Sequence, residues 1–598
     1  VSATTPYPFI EPTGVYGWPT QFMPASTAVL DWNYLDDFNP STIAAVPAQG
    51  SGSSIFSSPD EYEPASFVIV AASQMDDVVV SVSDLGNGGD TIPSENVTIR
   101  RVVRTPMRNL YTDAAHLTTV GRFLPTWSAL TIPAGEFRQV WLTVHVPPGT
   151  KAATYAGTVR ISSSQGSINW PLSVEVLPIQ LLSDPGKTLG MQYNLQQRLA
   201  DVRTGAATTE LITQEIADLA AHGVTSIVPS LQIDFFKNSS GEPYYDLTNF
   251  VTGMNLLLDV GIEWTAIVVL PNLNELALLL GHTDVFDPTA GTIGDGASLA
   301  ADATFQMIAK AAIQALHGTI SGLKLSSKQT FEVIYKNLDE IFDDQFDGSQ
   351  APLYVQYAKT CQNVPGLTLG TTLSTRNATE ISELTTVAPY VAVPINQGFT
   401  FEWYLATPGS SVQTYLNFLK AMKQTAWFYH NERGAYHTPA WKRIINGVYF
   451  WSMPFACHIP WCYQYDEVAN PFDASAGDKF NDFGFSFSNA PGSTTFVPTR
   501  SWEAMREGWD DVRYFHTLQQ AMATPGISAE SLASAHQFFS RLQALIESVD
   551  LAGYEPEAGL AKESPIISWL ASRMTGADWQ LLRKEAAYLI VEIQGSGT

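Results

Sequence analysis

Between Thr188 and Gln464 the chain passes eight times through one alternation, a short apolar run followed by polar or helix-patterned sequence. The apolar runs are Thr188–Asn194, Val224–Ser230, Glu263–Leu270, Phe331–Leu338, Leu367–Leu373, Tyr390–Pro394, Thr425–His430 and Ala456–Gln464. Helical windows with 3.6-residue apolar spacing lie between them at Thr209–His222, Ala303–Leu316, Leu353–Gln362, Ser411–Lys423 and Thr438–Phe450. Eight β-then-α units predict a (β/α)8 barrel, because each parallel strand needs a crossover helix and eight such units close the sheet. A doubly wound open sheet would not need eight. No glycine-rich phosphate loop follows any of the runs, which excludes a dinucleotide site.

The flanking regions have a different rhythm. Residues 1–182 carry short alternating runs, among them Ser66–Ala71, Val78–Val82, Val97–Val103, Val140–Val146 and Gly157–Ile161, separated by Gly, Pro, Ser and Asp clusters. That pattern predicts an N-terminal β-sandwich. The turn Ser183-Asp184-Pro185-Gly186 closes it, and the barrel is expected over 183–522. Helical spacing in Ala529–Val549 and Asp578–Ile593 predicts a C-terminal helical extension over 523–598. Two connections are long, Pro271–Ala300 after the third strand and Tyr465–Pro498 after the eighth. Both follow strand C-termini, the face on which barrels of this kind build their sites.

Thirty-two basic against 58 acidic residues leave a net charge of −26, a field that repels phosphate backbones, and no basic patch is interleaved with aromatics. Nucleic acid is therefore not an expected partner. No apolar run is long enough to span a membrane. The three cysteines, Cys361, Cys457 and Cys462, make no disulfide framework; Cys457 and Cys462 are spaced either to close one small ring or to stay reduced. Neither zinc-ligand spacing nor a cofactor fingerprint is present, so no cofactor is expected. The opening Val1 with its Ser/Thr/Pro-rich continuation fits a mature secreted protein, as do the sequons at Asn96, Asn238 and Asn377.

The strongest chemical feature is the segment from Phe331 to Glu340, in which an apolar strand runs straight into the adjacent carboxylates Asp339 and Glu340. Cleaving a glycosidic bond needs a proton donor for the leaving oxygen and a group to stabilise the cationic centre. An adjacent pair suggests that the substrate's own 2-acetamido oxygen attacks, one carboxylate orienting that amide and the other acting as acid. The bland alternative is a solvated acidic loop, since Asp343, Asp344 and Asp347 follow. Aromatic side chains at other strand ends offer faces on which sugar rings stack, Tyr429 after the seventh run and Trp461 and Tyr463 in the eighth. Tyr193 and Asn194 at the first strand end and Asn272 beyond the third are polar candidates on the same rim. No Gly-x-Ser-x-Gly motif or Cys–His arrangement competes for a nucleophile role.

With these segments in place the chain resembles the family-123 glycoside hydrolases and the wider sandwich-plus-barrel set around them. The most specific segment runs from Pro498 to Tyr514, with Arg506, Glu507, Gly508, Asp511 and Tyr514 on one helix. Ala426–Tyr429, Arg443–Trp451 and Pro148–Thr158 agree with it, so the likeness covers nearly the whole chain in order. The resemblance implies that Asp339 and Glu340 are the catalytic pair and that the reaction is retaining, substrate-assisted removal of N-acetyl-β-galactosamine from a carbohydrate partner. It departs from the pattern at Ile341, where family members commonly have Pro, which restricts the residue before it. Two other readings stay open. One is a glycosidase for a sugar without a 2-acetamido group, with Asp234, Asp466 or Glu467 as separate base or nucleophile; the other is a non-catalytic carbohydrate-binding protein. The signature residues Arg506, Glu507 and Asp511 are expected to tie the last helix to the barrel rather than touch sugar.

Overall fold

The apolar runs are short and rich in β-branched residues, and in the fold they become parallel strands with alternate residues on opposite sides. The structure is a computed structural model that describes residues 6–9, 11–40, 49–110, 113–342, 349–373, 378–398, 402, 410–422, 425–430, 438–465, 470–473, 483–551 and 564–596. Eight strands close a barrel in chain order: Thr188–Gln192, Val224–Val228, Ala266–Val269, Glu332–Lys336, Thr368–Leu373, Val393–Gln397, Trp427–Tyr429 and Cys457–His458. One parity fills the interior, where Val228, Val268, Ile334, Ile395, Trp427 and Tyr429 pack together. The other parity, including Met191, Ile227, Ile267, Tyr335 and Phe428, packs outward into the larger cluster beneath the helices.

Each strand falls in or beside its expected run, and the sixth shows the largest displacement. Ala388–Tyr390 forms a 3-10 turn there, and the strand starts at Val393 and continues through Pro394 to Gln397. The expected run Tyr390–Pro394 thus starts and ends three residues early, and Pro394 lies inside the strand, which tolerates Pro where no ladder hydrogen bond is required of its nitrogen. Helices occupy the expected windows, among them Thr209–Ala221, Ala303–Ser327, Ala351–Gln362 and Ser410–Ala421.

Ahead of the barrel lie two sheets. One orders Ala28–Asp31, Glu61–Val70, Phe137–Val146 and Val97–Arg101; the other runs through Leu130–Ile132, Met75–Val82, Ala153–Ser163, Gly166–Val176 and Ser53–Ser57. Their apolar residues form one cluster, with Phe67, Ile69 and Leu142 from the first and Val80, Val159 and Leu172 from the second. A separate hairpin, Val103–Leu110 with Asp113–Phe123, leaves these sheets. Its Met107 and Val120 pack with Cys462 and Phe483, beyond the eighth barrel strand. The sequence reading missed this hairpin. All three cysteines are free and buried, so the small ring between Cys457 and Cys462 does not form. No helix among the described residues is long and apolar enough to cross a membrane.

The helix Arg500–Met522 is the hub of the assembly. A Cβ added at its Gly508 would meet the Arg443 carbonyl oxygen at 2.4 Å, so only glycine permits this close crossing. Beside the crossing, the Arg443 guanidinium makes two 2.8 Å bonds to Asp511. Arg583, from the C-terminal helix Gly576–Ser596, reaches Asp511 at 2.6 Å and Glu507 at 2.8 Å, and also pairs with Glu63 of the first sheet. Tyr514 donates to Glu61 at 2.8 Å. The signature residues thus join sheet, barrel and C-terminal helices.

Two outcomes follow from this network. Asp511→Ala leaves two buried guanidinium groups without their shared partner and is expected to lower unfolding free energy by about 3–5 kcal/mol in a denaturant titration. Burial pushes the Glu503 carboxyl up, but Arg506 and Arg100 outweigh it and hold the group down at about 2. Its folded-state value is thus depressed, and its contribution is complete above the ordinary glutamate range and lost as pH falls toward 2. Acid unfolding should show that loss, about 3 kcal/mol at 1.36 kcal/mol per pH unit, and Glu503→Gln should flatten it.

Candidate active site

Asp339 and Glu340 come three and four residues after the fourth barrel strand, Glu332–Lys336. In a parallel barrel this places them on the C-terminal mouth. The segment is fastened to the next strand: Thr371 donates to the Leu338 carbonyl at 3.1 Å, and the Ile341 N–H donates to the Thr372 carbonyl at 3.2 Å. Ile341 and Phe342 are buried and anchor it from below. Glu340 takes a left-handed conformation at φ 43°. A proline at 341 would disfavour that conformation and would remove the N–H that reaches Thr372. The departure at Ile341 therefore has a local consequence: it lets Glu340 adopt this backbone geometry and ties it to the fifth strand.

The two carboxylates have different surroundings. The Asp339 side chain is 67% exposed and pairs with the Lys336 ammonium at 2.6 Å. Neighbouring protein pushes its carboxyl up, while Lys336, the Thr372 hydroxyl and the Glu340 N–H pull harder in the other direction, so the group lies below its ordinary value. Asp339 is accordingly an anion at neutral pH. Glu340 accepts a hydrogen bond from the Tyr429 hydroxyl, which crosses the mouth from the seventh strand. Tyr429 itself is buried, with its ring in the barrel interior. One oxygen of Glu340 is thus held from across the mouth.

The other expected site residues divide. Tyr193 is buried and donates to Glu215 at 2.8 Å, in a cluster where Arg198 also binds Glu215. Tyr463 is buried and donates to Asp218 at 2.8 Å, which also accepts from Trp502. Both rings are buried in the larger cluster beneath the helices. Asn194 caps the helix Leu195–Thr204 by accepting from the Gln197 N–H. Asn272, left-handed at φ 54°, donates to Glu275 and to the Ile233 carbonyl. Trp461 is half-buried, its ring 4.9 Å from Phe483 and 5.8 Å from Tyr465. Of this set, Tyr429 is in direct contact with the carboxylate pair; Asn194, Asn272 and Trp461 share its rim by their places after strand ends.

Asp234 accepts from Gln196 at 3.3 Å and Asn249 at 2.7 Å. Asp466 and Glu467, like Asp343, Asp344, Asp347 and the sequon residue Asn377, lie outside the described residues. Among the described residues no group of three or more His, Cys, Asp or Glu is placed to hold a metal ion. A depression lined by Glu263, Trp264, Lys328 and Glu332 lies at the N-terminal ends of the third and fourth strands, on the face opposite the carboxylates. Sequence reasoning missed Lys336 and Thr372. The available signal was a lysine three residues ahead of an acidic strand end, with a Thr pair closing the adjacent strand.

Residues 63–163 match the family model for the glycoside hydrolase 123 N-terminal domain. The fold is similar to that of a family 123 glycoside hydrolase from Clostridium perfringens, solved in a study of glycolipid glycan hydrolysis. The TM-score is 0.65 at 13% identity, covering 95% of this chain and 100% of that one. A bacterial Ig-like domain containing GH10 xylanase from termite gut aligns with a TM-score of 0.30 at 9% identity, over 77% of this chain and 99% of the other. Beta-glucuronidase 3 of Bacteroides uniformis gives 0.29 at 9% identity, over 76% and 51%. No curated protein matches the sequence. The resemblance to family-123 glycoside hydrolases is thus present in the N-terminal sequence and in the fold of nearly the whole chain.

The Lys336 pairing generates a test. Lys336→Met removes the ammonium while leaving Asp339 among the same neighbours, so its carboxyl should move up. A carbon-13 titration of labelled Asp339 should read that shift; an unchanged midpoint would mean that Lys336 does not hold the charge.

Proposed function

We propose that the chain is a retaining glycoside hydrolase that removes N-acetyl-β-galactosamine-type residues with help from the substrate's own acetamido group. The observation that carries the reading is the carboxylate pair at the fourth strand end, one member held anionic by Lys336 and the other gripped by Tyr429. In this reading Asp339 accepts a hydrogen bond from the acetamido N–H and polarises the amide, whose oxygen attacks the anomeric carbon. Glu340 protonates the departing glycosidic oxygen. It then takes a proton from the water that opens the cyclised intermediate. The N-terminal match and the shared fold support a hydrolase of this class, and the Clostridium perfringens protein, concerned with glycolipid glycans, supports a carbohydrate substrate. The same reading takes the two N-terminal sheets as a β-sandwich to about residue 182, the barrel as 183–522 and the extension as 523–598, in a secreted protein.

The two carboxylates are separable by substrate choice. Glu340→Gln should lower cleavage of poor leaving groups by roughly 10²-fold or more and spare activated aryl glycosides, which need little protonation. Asp339→Asn should impair both kinds, since it acts on the attacking amide. A thiazoline analogue of the cyclised intermediate should bind tightly. A wild type that ignores the analogue and cleaves plain hexosides would overturn the acetamido mechanism in favour of a separate nucleophile or base.

A further inference from the structure

After the second barrel strand the chain forms a projecting hairpin, Asp234–Lys237 paired with Pro243–Asp246, in which Phe236 lies directly opposite Tyr244. The pairing continues into the turn, where the Asn238 N–H donates to the Glu242 carbonyl at 2.9 Å. Side-chain alternation then puts positions 236, 238, 242 and 244 on one face. Contacts bear this out: the Asn238 amide donates to the Glu242 carboxylate at 3.0 Å, and the Phe236 and Tyr244 rings lie 5.6 Å apart. That face is turned to solvent. Phe236 is 43% and Tyr244 46% exposed, whereas Phe235, on the opposite face, is buried.

Two adjacent open rings on a small hairpin are costly to leave wet, and Asn238-Ser239-Ser240 at the tip is an N-glycosylation acceptor sequence. Asn238, Ser239 and Ser240 are all exposed. By contrast, Asn96 is half-buried beside a sheet strand in which Thr98 of its sequon pairs with Thr143. We infer that Asn238 is an N-glycosylation site whose first N-acetylglucosamine folds back over Phe236 and Tyr244. The sugar's C–H face covers Phe236, two residues back along the strand, and Tyr244 directly opposite Phe236.

The modification needs a secretory route and a polyprenyl-diphosphate-linked oligosaccharide as donor. The Asn238 amide nitrogen bonds to the anomeric carbon of the first sugar as the bond from that carbon to the diphosphate oxygen breaks. The nitrogen loses one proton to the transferase, and polyprenyl diphosphate leaves. This inference is independent of the hydrolase reading.

The full chain secreted from a eukaryotic host, with its glycans trimmed to the first N-acetylglucosamine, tests it. Peptide mass spectrometry should find the sugar on Asn238. Hydrogen exchange of amides 236–244 should be about fivefold slower in that form than in Ser240→Ala, which lacks the acceptor hydroxyl; this ratio is on the order of one aromatic-face contact. In the double variant Phe236→Ala/Tyr244→Ala the sugar should still be attached. Adding or omitting Ser240→Ala should then change exchange by less than about twofold, since the stacking surface is gone. An unmodified Asn238 in the secreted protein would overturn the inference. So would equal exchange with and without sugar, or protection that persists once both rings are removed.

Discussion

One guanidinium holds the three parts of this molecule in register. Arg583 bonds to Asp511 and Glu507 of the last barrel helix and to Glu63 of the first sheet, while Arg443 shares Asp511 from the other side. Removing such charges from water costs several kcal/mol per ion, and only near-complete pairing offsets that cost. The network is therefore worth less as net stability than as a constraint on arrangement, because any other docking would strand a buried charge. Gly508 adds a steric condition, since the crossing it permits is what brings Arg443 and Asp511 together.

That constraint reaches the mouth of the barrel. The first sheet is tied to the last helix through Glu63 and through Arg100, which pairs with Glu503 at 3.1 Å. Its neighbouring hairpin is thereby delivered to the eighth strand end, where Met107 and Val120 meet Cys462 and Phe483. Trp461 packs on Phe483, so a rim residue of the barrel is positioned in part by the N-terminal region. This gives the buried charges a place in the argument about the site even though none of them lies in it.

The barrel was legible because its signal is periodic and repeated, and each short apolar run carries the same information as its neighbours. The carboxylate pair was legible because two acids at the end of an apolar strand conflict with the pattern around them. What one-dimensional spacing left open was direction. Leu189, Met191 and Tyr193 share one parity and all pack outward, whereas Trp427 and Tyr429 share the inward parity. For Tyr193 and Tyr429 a period of two separates the ring that braces helices from the one that reaches the mouth, whereas Tyr463 lies five residues past its strand, where that period no longer applies. Lys336 and Thr372 escaped for another reason: each acts only through a neighbouring strand or turn, and one-dimensional spacing does not show that proximity.

Lys336 also bears on the charge at the barrel mouth. The ammonium bonds the same carboxylate that, in the proposed reaction, accepts the acetamido N–H. A carboxylate has two oxygens and about four acceptor directions, so both donors fit without displacement. The lysine keeps Asp339 ionised before substrate arrives, which an acceptor for an amide N–H requires. Glu340 meets a different group, the Tyr429 hydroxyl. Two chemically similar acids, adjacent in sequence, thus meet different groups: an ammonium at one and a phenol hydroxyl at the other. That division is what a base-like orienting group and a proton donor side by side would need. It arises from the residue three positions before the pair and from a tyrosine 89 positions after it, on a strand that only the closed barrel brings across.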